Sequence, residues 1–238
     1  MTALAIVLIT VGIGDLCHGL AGTAANRARA YRAAGGSVIV AIILALLLDV
    51  RGLDGALTVA AAIVISVSWQ LVRVGFASPV IHLSTLGAGA VAAAMVSTIH
   101  LQDSGGVWDR YVDESRISLI HRHRPKEVLI VIALGIVMTA TANAVVRLVL
   151  AVVIDGDPPT TRIRGGRVIG PLERLLILGL VIAGQPTTAA LVVTAKSLLR
   201  YPELREHDGV DIHAVTEYVL IGSLMSWTIA LAGAVLLA

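Results

Sequence analysis

The sequence predicts an all-α fold: a polytopic transmembrane helical bundle of about seven or eight membrane segments, one of them short or re-entrant. Three observations carry this. Hydrophobic residues make up 57% of the 238 positions and charged residues only 14%, where a soluble domain carries about 25% charge. Mean hydropathy is +0.89, and the apolar residues fall into blocks of near-spanning length separated by short charged stretches. No polar stretch between blocks is long enough for a soluble domain. The whole chain, 1–238, therefore reads as a single integral membrane domain, with N-terminal helices in 1–100, a polar loop in 101–126 and C-terminal helices in 127–238.

A spanning helix needs about 20 mostly apolar residues. The first block runs from Ala3 to Leu20. The residues before it carry no positive charge, so it lacks the basic n-region of a secretory signal and reads as a retained helix. Arg27, Arg29 and Arg32 follow. The second block, Ala33 to Leu48, ends at Asp49, Arg51 and Asp54. The third, Gly55 to Val72, ends at Arg73. Ser78-Pro79 opens the fourth, which runs to Ile99 and is rich in glycine and alanine, the residues that permit close helix packing in lipid. The longest polar stretch, His100 to Lys126, mixes acids and bases. A fifth block covers Glu127 to Ile154, and Pro158-Pro159 with Arg162, Arg164 and Arg167 form the next loop.

Gly170-Pro171 reads as a helix start. The apolar run then stops at Gly184-Gln185-Pro186. Two arrangements fit: a hairpin turning at Gln185-Pro186, preferred here, or one long helix kinked at Pro186. In the hairpin the second piece, Thr187 to Arg200, is about 14 residues, or roughly 21 Å. The last block runs from Ile212 to the end.

With eight alternating segments and the N-terminus outside, the loops holding Arg27/Arg29/Arg32, Arg73, Arg162/Arg164/Arg167 and Arg205 all face the cytoplasm, as the positive-inside rule requires. The His100–Lys126 loop is the exception. The same arrangement gathers polar residues near the cytoplasmic ends of the helices, where intramembrane ionisable groups face the bundle interior or water. The candidate binding cluster is Asp15 and His18 on the first helix, Asn143 and Arg147 on the fifth, Glu173 and Arg174 on the sixth, Lys196 and Arg200 on the seventh and Glu217 on the eighth. Gln70, Arg73 and Tyr218 lie at similar depth. Arg147 and Glu217 stand out among these, and a charge pair of Glu217 or Glu173 with Arg147 or Lys196 would lower the cost of burial. Helix-dipole complementation and headgroup contact are the plainer readings of Glu173, Lys196 and Arg200.

Chemistry beyond this is thin. HExxH, GxSxG and phosphate-loop patterns are missing where their mechanisms need them. Lys196-Ser197 is no dyad, because adjacent helical side chains diverge by about 100°. His121-Arg122-His123-Arg124 offers no ligand spacing beyond His-x-His. Cys17 is the single cysteine, so no intrachain disulfide forms. The residues point to no catalytic centre, no metal site and no cofactor. With 3% aromatic residues, base stacking on nucleic acid is not expected.

The C-terminal half, 128–227, resembles a family of small bacterial multi-pass membrane proteins. The shared pieces are GRVIGPLERLLI at 166–177, AKSLLR at 195–200 and EYVLIGSLMSW at 217–227. The resemblance implies a bacterial cytoplasmic (inner) membrane location. It assigns no role to Glu173, Arg174, Lys196, Ser197, Arg200, Glu217 or Tyr218.

Three readings of function remain. The first is transport or permeation of a small solute or ion through the inner-side polar cluster. The second is a scaffold or accessory subunit that binds anionic lipid, a second copy or another membrane protein. A membrane-embedded enzyme acting on lipid ranks third. Membrane lipids are the expected surroundings in every case.

Overall fold

The structure, a computed structural model, describes residues 1–20, 26–75, 78–99, 101, 106–115, 123–153, 166–203 and 212–237. These residues are helical, with no strand among them. The helices are α1 (Thr2–Leu20), α2 (Asn26–Leu47), α3 (Gly52–Gly75), α4 (Pro79–Ser97), α5 (Val107–Asp113), α6 (Pro125–Thr139), α7 (Thr141–Val153), α8 (Gly166–Ile182), α9 (Pro186–Glu203) and α10 (Ile212–Val235). Six stretches among the described residues are long and apolar enough to cross a membrane: α1 to α4, Pro125–Val153, which holds α6 and α7, and the Glu217–Val235 part of α10. The chain is thus an all-helical membrane protein. Helix α8, at 17 residues, and the apolar Pro186–Ala195 part of α9 are the shorter segments that bring the total near the expected number.

The chain forms two compact units, Met1–Thr141 and Ala142–Ala238. In the first, α1 packs against α2, α3, α4 and α6, while α2 packs on α3 and α3 on α4. The buried faces recur every three or four residues and consist mostly of small or hydroxylated side chains. On α2 they are Ala30, Ala33, Ser37, Ala41 and Leu44; on α3 they are Gly55, Thr58, Ala62, Ser66, Trp69 and Gln70. The large aliphatics point the other way: Ile39, Ile42, Ile43 and Leu46 on α2 and Leu53, Leu57, Val64 and Leu71 on α3 are exposed. Small inside and large apolar outside is the arrangement lipid favours, because association there depends on close backbone approach rather than on hiding oil from water.

The helix ends follow local chemistry. Asp49 closes α2 in a left-handed conformation, φ 50°, with Asp49 N–H bonded to Leu46 O and Val50 N–H to Ala45 O, the Schellman pattern. The Arg51 side chain bridges back to Asp49 at 2.7 Å. Pro79 and Pro125 occupy first-turn positions of α4 and α6, where a missing N–H costs nothing. The Arg124 N–H is met by Glu127 Oε2 at 3.2 Å. Within the His100–Lys126 stretch the short α5 docks on α6, with Trp108 Nε1 donating to Pro125 O at 3.0 Å.

In the second unit α10 and α9 both pack on α8. Helix α8 stops at Ile182, and Gly184 takes φ +72°. Gly184 N–H bonds Val181 O and Gln185 N–H bonds Leu180 O, a second Schellman pattern. Pro186 then opens α9. The stretch from Gly170 to Arg200 is therefore two helices and not an unbroken rod.

Candidate functional site

Each unit holds one buried polar centre. In the first, α1 supplies Asp15 and α3 supplies the residues that reach it. Trp69 and Arg73, one helical turn apart, and Gln70 beside them present three donors to a single carboxylate oxygen. Asp15 Oδ1 accepts from Trp69 Nε1 at 2.9 Å, Gln70 Nε2 at 3.1 Å and Arg73 NH1 at 2.7 Å. The Arg73 guanidinium also lies over the Trp69 ring, 5.3 Å from its centroid. The Asp15 side chain is only 2% exposed and that of Arg73 15%, so this is an ion pair with its acid inside and its base near the helix end. Pairing offsets the heavy cost of placing a carboxylate away from water.

The distribution of bonds around Asp15 is lopsided. Oδ1 takes three hydrogen bonds, whereas Oδ2 is buried and takes none from the described residues. Gln70 shows the same asymmetry. Its amide nitrogen donates to the carboxylate, and its Oε1 too is buried without a donor among the described residues. A layer of hydroxyls lies beneath. Ser66 Oγ donates to Ser37 Oγ at 2.7 Å, and Ser37 Oγ to Ala33 O at 3.0 Å. Thr10, fully buried, returns its hydroxyl to Ile6 O. Gly14 forms the floor: a Cβ there would stand 3.0 Å from Gln70 Nε2 and 3.2 Å from Ser66 Oγ. On the flank His82 of α4, also buried, meets Val72 O through Nε2 at 3.2 Å.

In the second unit Arg174 of α8 is 1% exposed. Its NH1 donates to Ser226 Oγ of α10 at 2.7 Å and its NH2 to Asn143 Oδ1 of α7 at 2.5 Å. Three helices thus meet on one guanidinium. Gly170, one turn before, leaves room for the fork, since a Cβ there would lie 3.6 Å from NH1. The half-buried Glu173 acts on the guanidinium electrostatically.

The expected site residues distribute as follows. Asp15 is the heart of the first centre, and His18 lies half-buried one turn further along α1. The structure joins Arg174 to Asn143. It leaves Arg147 and Glu217 both exposed, and neither carries an ion pair among the described residues. The side chains of Lys196 and Arg200 lie outside the described residues, as do the loops with Arg162, Arg164 and Arg205 and the residues His121 and Arg122. Among the described residues no group of three or more His, Cys, Asp or Glu could hold a metal ion.

Sequence reasoning missed Trp69, the Ser37–Ser66 pair and Ser226. One signal for Trp69 existed: an indole N–H inside a spanning helix needs an acceptor, and Asp15 is the acid at matching depth. The serines gave none, because a helical hydroxyl satisfies itself on its own i−4 carbonyl. Fold and site together define a polytopic helical membrane protein with an ionic centre in one unit and a buried arginine centre in the other. No protein-family model, curated protein or solved structure matches this chain.

Proposed function

We propose that this protein moves a small polar solute or ion across a bacterial cytoplasmic membrane and holds it at the Asp15 centre. One observation carries the reading: a carboxylate buried among membrane-spanning helices keeps one oxygen, Oδ2, without a donor, beside a second buried acceptor on Gln70. Intramembrane acids are costly to bury and mark ion and substrate pathways, and a purely structural ion pair gains nothing from two orphaned acceptors. The bacterial location rests on the resemblance of residues 128–227.

The test is flux through full-length protein reconstituted alone in liposomes, with H⁺, Na⁺, K⁺, Cl⁻ and small neutral solutes as the panel. Flux of at least one solute is expected, lost in Asp15→Asn and retained in Ser84→Ala, whose hydroxyl bonds only its own helix. No flux above empty liposomes for any member of the panel overturns the reading.

A second reading, a membrane scaffold, draws on α4. Gly87, Ala88, Ala90 and Ala94 are exposed there, and small residues on an open helix face suit close packing against another transmembrane helix. Stable co-purification with a membrane partner, combined with absent flux, favours it.

A further inference from the structure

The two ends of the first unit differ in charge. Asp15 pairs with Arg73 at one end. A Cβ at Gly36 of α2 would stand 3.1 Å from Cys17 Sγ of α1, so the start of α2 lies at that same end. Residues 16–48 and 55–102 contain no Asp or Glu. Asp15 is thus the one acid that α1 to α4 bring there, and Arg73 already neutralises it. Arg27, Arg29 and Arg32, in the first two turns of α2, are left without a carboxylate. None of the three side chains carries a hydrogen bond or ion pair among the described residues, and Arg29 Nε is buried without an acceptor. Cations in a first helical turn also oppose the helix dipole, so helix formation does not account for them.

The exposed face of α2 runs on from these arginines. Arg27, Tyr31, Gly35, Ile39 and Ile43 recur every four residues and are all exposed; Arg32 and Leu46 are exposed on the same side. Tyr31 stands out at 66% exposed. A Cβ at Gly35 would meet nothing within 4 Å, so a notch separates the basic end from the aliphatic stretch. From Arg27 to Leu46 is roughly 28 Å of helix, close to the thickness of a bilayer's hydrocarbon core. The guanidinia therefore reach headgroup level while the isoleucines face acyl chains. We propose that this face binds one anionic phospholipid. Arg27 and Arg32 take its phosphodiester by charge-assisted hydrogen bonds, with Tyr31 between them. The glycerol occupies the notch at Gly35, and an acyl chain lies along Ile39, Ile43 and Leu46. Other occupants match less of the surface. A second copy would set arginine against arginine, and an acidic protein segment would leave the aliphatic stretch unused. The site is separate from the Asp15 centre and stands whether or not the protein moves a solute.

The experiment is native mass spectrometry of the full chain, delipidated in a neutral detergent. The probes are phosphatidylglycerol and phosphatidylcholine with identical acyl chains. Phosphatidylglycerol is expected to bind about tenfold or more tightly than phosphatidylcholine, given two arginines at the headgroup. The double variant Arg27→Gln/Arg32→Gln should lose that preference. Arg51→Gln/Arg110→Gln removes the same charge from the other end of the unit and should keep it. Gly35→Leu fills the notch, leaves the charge unchanged and should weaken phosphatidylglycerol severalfold. All five positions are exposed, so none of these changes opens the core. Equal binding of the two lipids by the parent chain overturns the proposal, as does equal loss in the two double variants, which would mean attraction by net charge alone. Binding untouched in Gly35→Leu overturns the placement of the lipid on this face. Inorganic phosphate at matching concentration should leave the lipid in place; displacement by it would make this a site for the free anion and overturn the lipid as occupant.

Discussion

Gly14 of α1 lies so close to Ser37 of α2 that a Cβ at position 14 would clash with the Ser37 hydroxyl oxygen. That oxygen is fully buried and fixed by Ser66, so it has nowhere to retreat. Gly14→Ala should therefore destabilise the first unit by about 1–3 kcal/mol through overpacking. Gly19→Ala, where the added carbon meets nothing within 4 Å, should be close to neutral. Thermal unfolding in one detergent compares the two.

Removing one member of the Asp15–Arg73 pair leaves the other buried without compensation. Arg73→Met should cost about 3–5 kcal/mol, the range for a broken buried pair. Asp15→Asn keeps acceptors for Trp69 and Arg73 and should cost less. The double variant should be more stable than the sum of the single losses predicts. A double-mutant cycle showing simple additivity would contradict the pairing.

Arg174 offers a parallel test in the second unit. Asn143→Ala and Ser226→Ala each remove an acceptor from a buried guanidinium and should cost about 1–3 kcal/mol apiece. Arg174→Lys should not rescue the fold, because an ammonium cannot reproduce the planar fork that reaches α7 and α10 together. Equal stability of Arg174→Lys and the parent would refute this account.

The break between α8 and α9 depends on the left-handed backbone at Gly184. Gly184→Ala should lower stability by about 1–2 kcal/mol, and Gly184→Asn by less, since asparagine tolerates that conformation. Gln185→Cys, in a Cys17→Ser background, tests the orientation read from the arginine-rich loops: labelling from outside is expected, with Gly209→Cys labelled from inside. Labelling of both from one face would exclude that topology.

The helical membrane class was legible because it depends on composition and block length, which a sequence displays directly. The stop at Gly184 was legible for the same kind of reason, a glycine followed by a proline. Asp15, Asn143 and Arg174 were found because polar groups in apolar blocks are conspicuous. Their partners were harder. Ser66 bonding Ser37 and Ser226 bonding Arg174 require the rotation of one helix about another, which no single-helix pattern encodes. The attractive Arg147–Glu217 pairing came from depth alone, and depth does not say which way a side chain faces. Both point outward in the structure.

The outward placement of Ile42, Leu46, Leu57 and Val64 has a consequence for how this molecule tolerates change. Lipid chains solvate those branches equally well whether the helices are together or apart, so trimming them should scarcely disturb assembly. The familiar ranking of damage, in which greasy deletions hurt most and a lost hydroxyl hurts least, is turned upside down. For residues 1–141, one misplaced methyl beside Ser37 should matter more than several missing from the rim.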